Sequence, residues 1–134
     1  MNKTFLIALS AVLALTFATG TYAQGWKLAA EIPFDFTVGD VKMPSGRYTV
    51  QLSAGQTLLI KSSDEHNAVI SFSNAMMPPR NLKQGRLVFN AYGDRYFLST
   101  VSWPQGPSRM VPPSKFELRI AKEHADGKVE VATQ

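Results

Sequence analysis

The sequence predicts a mainly β domain, an antiparallel sandwich or small barrel of about six or seven strands with one short C-terminal helix. Three observations carry that prediction. Apolar residues recur at every second position in run after run, the period of a half-buried strand. The runs are separated by strong turn chemistry such as Gly39-Asp40, Pro44-Ser45-Gly46 and Gly93-Asp94. Only one stretch, from Ser114 onward, carries helix boundary signals.

Residues 1–23 stand apart from the domain. Met1-Asn2-Lys3 is a short basic start, Phe5 to Phe17 is a nearly unbroken apolar run, and small residues lead to Thr21-Tyr22-Ala23. This three-part pattern is that of a secretory signal peptide, with cleavage expected between Ala23 and Gln24. The apolar run is shorter than the roughly 20 residues that a spanning helix needs. A single β-domain, 24–134, remains, destined for the periplasm or the exterior. The chain has no cysteine, so packing and strand pairing must hold it together without disulfides. Its formal charge of +4, one of which leaves with Lys3, is too small to imply nucleic acid.

Gln24 to Leu28 reads as a short lead with Trp26 as a packing anchor. Ile32, Phe34, Phe36 and Val38 then share one face of a first strand, and Pro33 marks an edge or a bulge because it cannot donate to a ladder. Tyr48, Val50 and Leu52 face inward on the second strand, and Gln56 to Lys61 forms the third. The polar turn Ser62 to Asn67 leads to a fourth strand, Ala68 to Asn74, with Ile70 and Phe72 on one face. Asn74 to Gly85 is the long irregular segment, since Pro78-Pro79 excludes a regular interior. Arg86–Tyr92 and Arg95–Val101 make the clearest hairpin, joined by Gly93-Asp94. Trp103 to Pro107 ends that strand.

The helix expectation rests on Ser114 as N-cap with Glu117 three residues on, a capping box, with prolines before the start and Gly127 after the end. Phe116 and Ile120 would share a face at i,i+4. A strand competes there, because Phe116, Leu118 and Ile120 also alternate. Lys128 to Thr133 closes the chain as a strand or a tail.

The ordered set IPFDFTVG, PSGRYTV, LVFNAYGDRYFLSTV and PPSKFELRIAKE resembles an uncharacterised group of small exported bacterial β-domain proteins. These carry an IPF-x-F-x-V-G strand, a P-x-G-x-Y-x-V strand and a Y-G-x-x-Y-F-L hairpin. The resemblance spans residues 31–123. It implies an exported β-domain and carries over no catalytic or binding residue. Met76-Met77-Pro78-Pro79 departs from the pattern.

Catalytic chemistry finds little support. His66 and His124 are the only imidazoles; one sits in a polar turn and the other near the end of the expected helix, where the dipole favours it. A small secreted hydrolase using either with a nearby carboxylate is the alternative reading. Asp64-Glu65-His66 are ligand types in a turn, without partners in metal spacing, and no cofactor motif is present. Asp35, Asp40 and Asp94 are explained by turns and by a polar strand face, and the sequence supplies no cleft between them.

Binding is the better expectation. Arg80, Lys83 and Arg86 cluster about the long loop, where an anionic envelope component could meet them, and Met76 and Met77 offer an adaptable apolar contact beside them. Trp26, Tyr92, Tyr96 and Trp103 could present aromatic faces to a glycan, although aromatics are also ordinary core residues. Self-assembly through an exposed edge strand is a further possibility. The expected function is a non-enzymatic binding or structural module of the cell envelope.

Overall fold

A computed structural model describes residues 26–54, 56–124 and 126–133. They form β1 (Lys27–Ile32), β2 (Phe36–Val38), β3 (Val41–Met43), β4 (Gly46–Ser53), β5 (Thr57–Ser62), β6 (Ala68–Phe72), β7 (Asn74–Met76), β8 (Arg86–Tyr92), β9 (Arg95–Ser102), β10 (Ser108–Met110), α1 (Lys115–Glu123) and β11 (Asp126–Ala132). The expected signal segment 1–23 and its cleavage point at Ala23 and Gln24 lie outside the described residues.

The strands form two sheets around one core. A four-stranded sheet runs β1-β4-β5-β6, and a curled seven-stranded sheet runs β11-β8-β9-β10-β7 with the β2–β3 hairpin added at β9. Every pairing is antiparallel except β2 with β9, which meet in parallel at Thr37 and Phe97. The Gly-Asp connections are where the sequence put them. Gly39 at φ +61° and Gly93 at φ +65° supply the left-handed turn position that a two-residue hairpin demands.

Alternation places Ile32, Tyr48, Val50, Leu58, Ile60, Leu87, Phe89 and Val101 between the sheets, all nearly inaccessible to solvent. Phe36 is their keystone, edge-on to Tyr48 at 5.1 Å and to Phe89 at 5.5 Å. Burying one such ring contributes about 1.5–3 kcal/mol. Phe97 lies between Tyr96 and Leu98 in sequence and so faces the other side of the sheet. There it meets Tyr92, Phe116 and Ile120, which seat α1 on the outer surface of β8 and β9.

The 115–123 segment is therefore a helix, as its boundary signals indicate. Ser114 Oγ accepts the Glu117 N–H at 3.1 Å, which is half of the capping box. The other half is diverted: the buried Glu117 carboxylate accepts hydrogen bonds from Asn90 Nδ2 and Tyr92 Oη, both at 3.0 Å, and ties the helix to β8. Gly127 does not end the helix; His124 is the C-cap, and Gly127 pairs with Ala91 inside β11.

The fold differs from the sequence reading in several elements. The single strand expected over IPFDFTV is two, β1 and β2, which belong to different sheets, and Pro33 sits at the corner between them. Burial still alternates from Ile32 to Phe36 through that corner, so the pattern survives where the ladder does not. The lead before Ala30 is the start of β1. The irregular segment opens with a short strand, β7, which pairs with an unexpected β10. Buried Arg109 fixes this corner, donating from Nε to Ser73 Oγ at 2.9 Å and from Nη2 to the Ser73 carbonyl at 2.6 Å. On edge strand β6 Ile70 and Phe72 point outward, 71% and 78% exposed, while Val69 on the opposite face packs against the core. The closing segment, expected as a strand or a tail, is the strand β11; with it, splitting the first strand and adding β3, β7 and β10 accounts for the larger number of strands.

Candidate functional site

The irregular segment after β7 runs along the end of the domain where β8 begins and β11 finishes. Two glycines let neighbouring side chains lie directly against the backbone there. A Cβ on Gly85 would collide with Thr133 Oγ1 and with Leu28 Cδ2, and one on Gly106 would lie 2.8 Å from the Trp26 ring. Thr133 N–H donates to the Gly85 carbonyl at 3.0 Å, and the Gln84 amide donates to the Thr133 carbonyl. The end of the loop is thereby stitched to the final strand. Trp103, Pro104, Gln105 and Gly106 form the tight β9–β10 connection, closed by Trp103 N–H to the Pro107 carbonyl at 3.1 Å and with Gln105 at φ +54°.

The three predicted cations do come together. Arg80, Lys83 and Arg86 line one depression of about 450 Å³, with Glu130 of β11 as the one carboxylate among the described residues that line it. Arg86 Nε and Glu130 Oε2 approach to 3.6 Å across a solvent-exposed pair. Such a pair contributes about 0–1 kcal/mol and leaves the surroundings net positive. Lys83 also borders two neighbouring hollows: one of about 660 Å³ against Pro78, Pro79 and Trp103, and one of about 370 Å³ against Trp26, Lys27 and Trp103. Sequence reasoning treated the tryptophans and the basic loop as separate candidates, and the fold makes them neighbours.

The other expected contacts are elsewhere. Met76 belongs to β7 and Met77 is 88% exposed, and neither lines these hollows. Trp103 is buried, and its indole Nε1 finds no hydrogen-bond partner among the described residues. Tyr92 does not offer a face to solvent: it is buried with its hydroxyl on Glu117. Tyr96 is half-buried and stacks on Phe34 at 4.1 Å. Trp26 remains 47% exposed.

His66 and His124 stay apart. His66 sits in the exposed turn organised by Asp64, whose Oδ1 accepts from Ser62 Oγ at 2.5 Å and from the His66 N–H at 3.0 Å. Those two hydrogen bonds, the hydroxyl first, hold the Asp64 carboxyl below its ordinary range. His124 caps α1 through its backbone N–H to the Ile120 carbonyl at 3.1 Å. Among the described residues no group of three or more metal-ligating side chains converges, and no helix is long and apolar enough to cross a membrane.

One feature was invisible in the sequence. Asp35 and Asp94, read there as unrelated polar and turn residues, line a single depression of about 470 Å³ at the other end of the domain.

Comparison with family models, with curated proteins and with solved structures returned no match.

Proposed function

We propose that the chain is an exported, non-enzymatic binding module of the cell envelope, whose basic loop face holds an anionic component such as an acidic glycan. The observation that carries this reading is the convergence of Arg80, Lys83 and Arg86 on one depression in which Glu130 is the one carboxylate among the described residues. Hydrogen bonds from cationic donors to an anion contribute about 1.5–3 kcal/mol each, more than the exposed Arg86–Glu130 pair that such a ligand would loosen. Lys83 links this depression to the hollow bordered by Trp26, where the apolar ring surface of a sugar would find an aromatic neighbour.

The export half of the proposal rests on the pattern of residues 1–23. The protein purified from its own envelope fraction should begin at Gln24 on N-terminal sequencing, and a protein still beginning at Met1 would remove that half. For the binding half, titration calorimetry with polygalacturonate should give an affinity that falls steeply as salt is added. The same titration with neutral dextran should give none. The triple variant Arg80→Gln/Lys83→Gln/Arg86→Gln should bind the acidic polymer at least about tenfold more weakly while unfolding at an unchanged temperature. Equal binding by the variant would sink the loop assignment. Neither histidine is among the residues lining the hollows described above, so the hydrolase alternative draws no support from them.

A further inference from the structure

The depression holding Asp35 and Asp94 is built differently from the basic loop face. Its floor is apolar and buried: Phe36, Met43 and Phe97 are each no more than 3% exposed. Its rim carries four exposed charges on three separate pieces of backbone. Asp35 sits on the β1–β2 corner, Lys42 on β3, and Asp94 and Arg95 on the β8–β9 hairpin. Phe116 of α1 completes one wall. Local contacts hold Asp35 and Arg95 in place. Asp35 Oδ1 accepts the Ser45 N–H at 2.8 Å, clamping the corner to the β3–β4 turn. Gly93 closes the hairpin behind Asp94, and the Arg95 guanidinium lies 5.6 Å from the centre of the Phe116 ring.

Two acids and two bases line this one hollow, yet none of the four forms an ion pair among the described residues. Opposite charges free to meet on a flexible surface commonly do so; here Asp35, Lys42 and the adjacent Asp94 and Arg95 are carried on three separate pieces of backbone. The formal charges of the described lining residues sum to zero, so the hollow has no net charge that would favour a purely anionic or a purely cationic ligand. A ligand with one charge of each sign finds an opposite charge in the lining for each. Stacking of a neutral sugar is less suited to the site, because Phe34 covers one face of Tyr96 and the Arg95 guanidinium covers one face of Phe116. Charge, and not an open aromatic platform, is the recognition element on offer.

We propose that this depression binds a small zwitterion of the amino-acid or short-peptide class, its ammonium toward Asp35 and Asp94, its carboxylate toward Lys42 and Arg95, and its apolar side chain over the Phe36–Phe97 floor. The volume of about 470 Å³ falls in the range of small-ligand pockets. The assignment is independent of the basic loop face and of the anionic ligand proposed there.

The test uses the full mature chain and alanyl-phenylalanine in three forms: with both termini free, N-acetylated, and C-amidated. The free dipeptide should bind with a Kd on the order of 1 mM or tighter, and amide NMR shifts should move at residues 35–37, 42–43 and 94–97. Each blocked form should bind at least about tenfold more weakly, the loss expected for one charge-assisted contact. Asp94→Asn and Lys42→Gln alter exposed rim groups with no ion pair to lose. Asp94→Asn should weaken the free dipeptide about tenfold and leave the N-acetylated form unchanged, while Lys42→Gln should leave the amidated form unchanged. Absence of saturable binding by the free dipeptide would overturn the proposal, as would equal affinity for all three forms. The triple loop variant should bind the dipeptide as wild type does, which keeps failure of this site distinct from failure of the basic face.

Discussion

The two ends of the domain present hollows of nearly equal size, about 450 and 470 Å³, on opposite principles. At the loop end the lining charges among the described residues are three cations against one carboxylate, Arg80 and Lys83 on irregular backbone, Arg86 on β8 and Glu130 on β11. At the other end the charges cancel, and they surround a floor formed by the core itself. Size therefore says little about what either hollow selects. Charge balance separates an anion from a zwitterion, and the supporting structure determines how far each site depends on the stability of the whole.

That dependence can be broken first at Phe36, which is both the floor of one hollow and the ring between Tyr48 and Phe89. Phe36→Ala should destabilise the protein by about 3–5 kcal/mol in chemical denaturation, whereas Lys83→Ala at the loop end should change it by less than about 0.5 kcal/mol. A Phe36→Ala loss of under 1 kcal/mol would mean that the floor is not core. The loop end has one rigid point of its own. Gly85→Ala would press on Thr133 and Leu28 and should cost about 1–3 kcal/mol by overpacking, read as a shift of the denaturation midpoint.

The pH dependence sharpens the comparison further, because both shifted groups belong to the β4–β5–β6 side. Asp64 is held below its ordinary value of 3.8, so its contribution to stability is present above that pH and is lost as pH falls through the lower folded value. Burial, reinforced by Asp64 and Asp35, pushes the Tyr48 phenol above 10.0, and its contribution is present below pH 10 and lost as pH rises through the higher folded value. Asp64→Asn should flatten the acid limb of a stability profile and Tyr48→Phe the alkaline limb. The triple loop variant should leave both limbs in place. The smallest effect expected is that of Glu130→Gln, which should alter stability by about 0–1 kcal/mol while raising affinity for polygalacturonate, since it removes the one opposing carboxylate.

What could be read in advance follows from how local the signal was. β4, β5, β8 and β9 were legible because alternation and tight turns are contained within each segment, and α1 because its cap lies three residues from its partner. β7 and β10 were not: each is three residues long, and β7 becomes a strand only by pairing with β10 across distant sequence, while β10 follows β9 through a connection rich in Pro and Gly. The corner at Pro33 to Asp35 hid inside an unbroken alternation of burial. The outward Ile70 and Phe72 show that an apolar pair on one strand face does not say which face is inside. The basic cluster was visible because Arg80, Lys83 and Arg86 are close in sequence. The zwitterion site was invisible because its rim is drawn from a corner, a strand and a hairpin tip that only the fold assembles.

The division of the chain between its sheets has a consequence in time. The four-stranded sheet is closed by residues 27–72, whereas the seven-stranded sheet begins at Phe36 and needs β11, Asp126–Ala132, at its far edge. Strands paired with near neighbours form sooner than those awaiting distant ones. A chain emerging from its N-terminal end can assemble the first sheet early, and it must hold Leu87 and Phe89 uncovered by β11 until residues 126–132 arrive. Pulse-labelled hydrogen exchange during refolding should accordingly protect the amides of β4 and β5 before those of β11. Simultaneous protection would show that the two sheets close as one event.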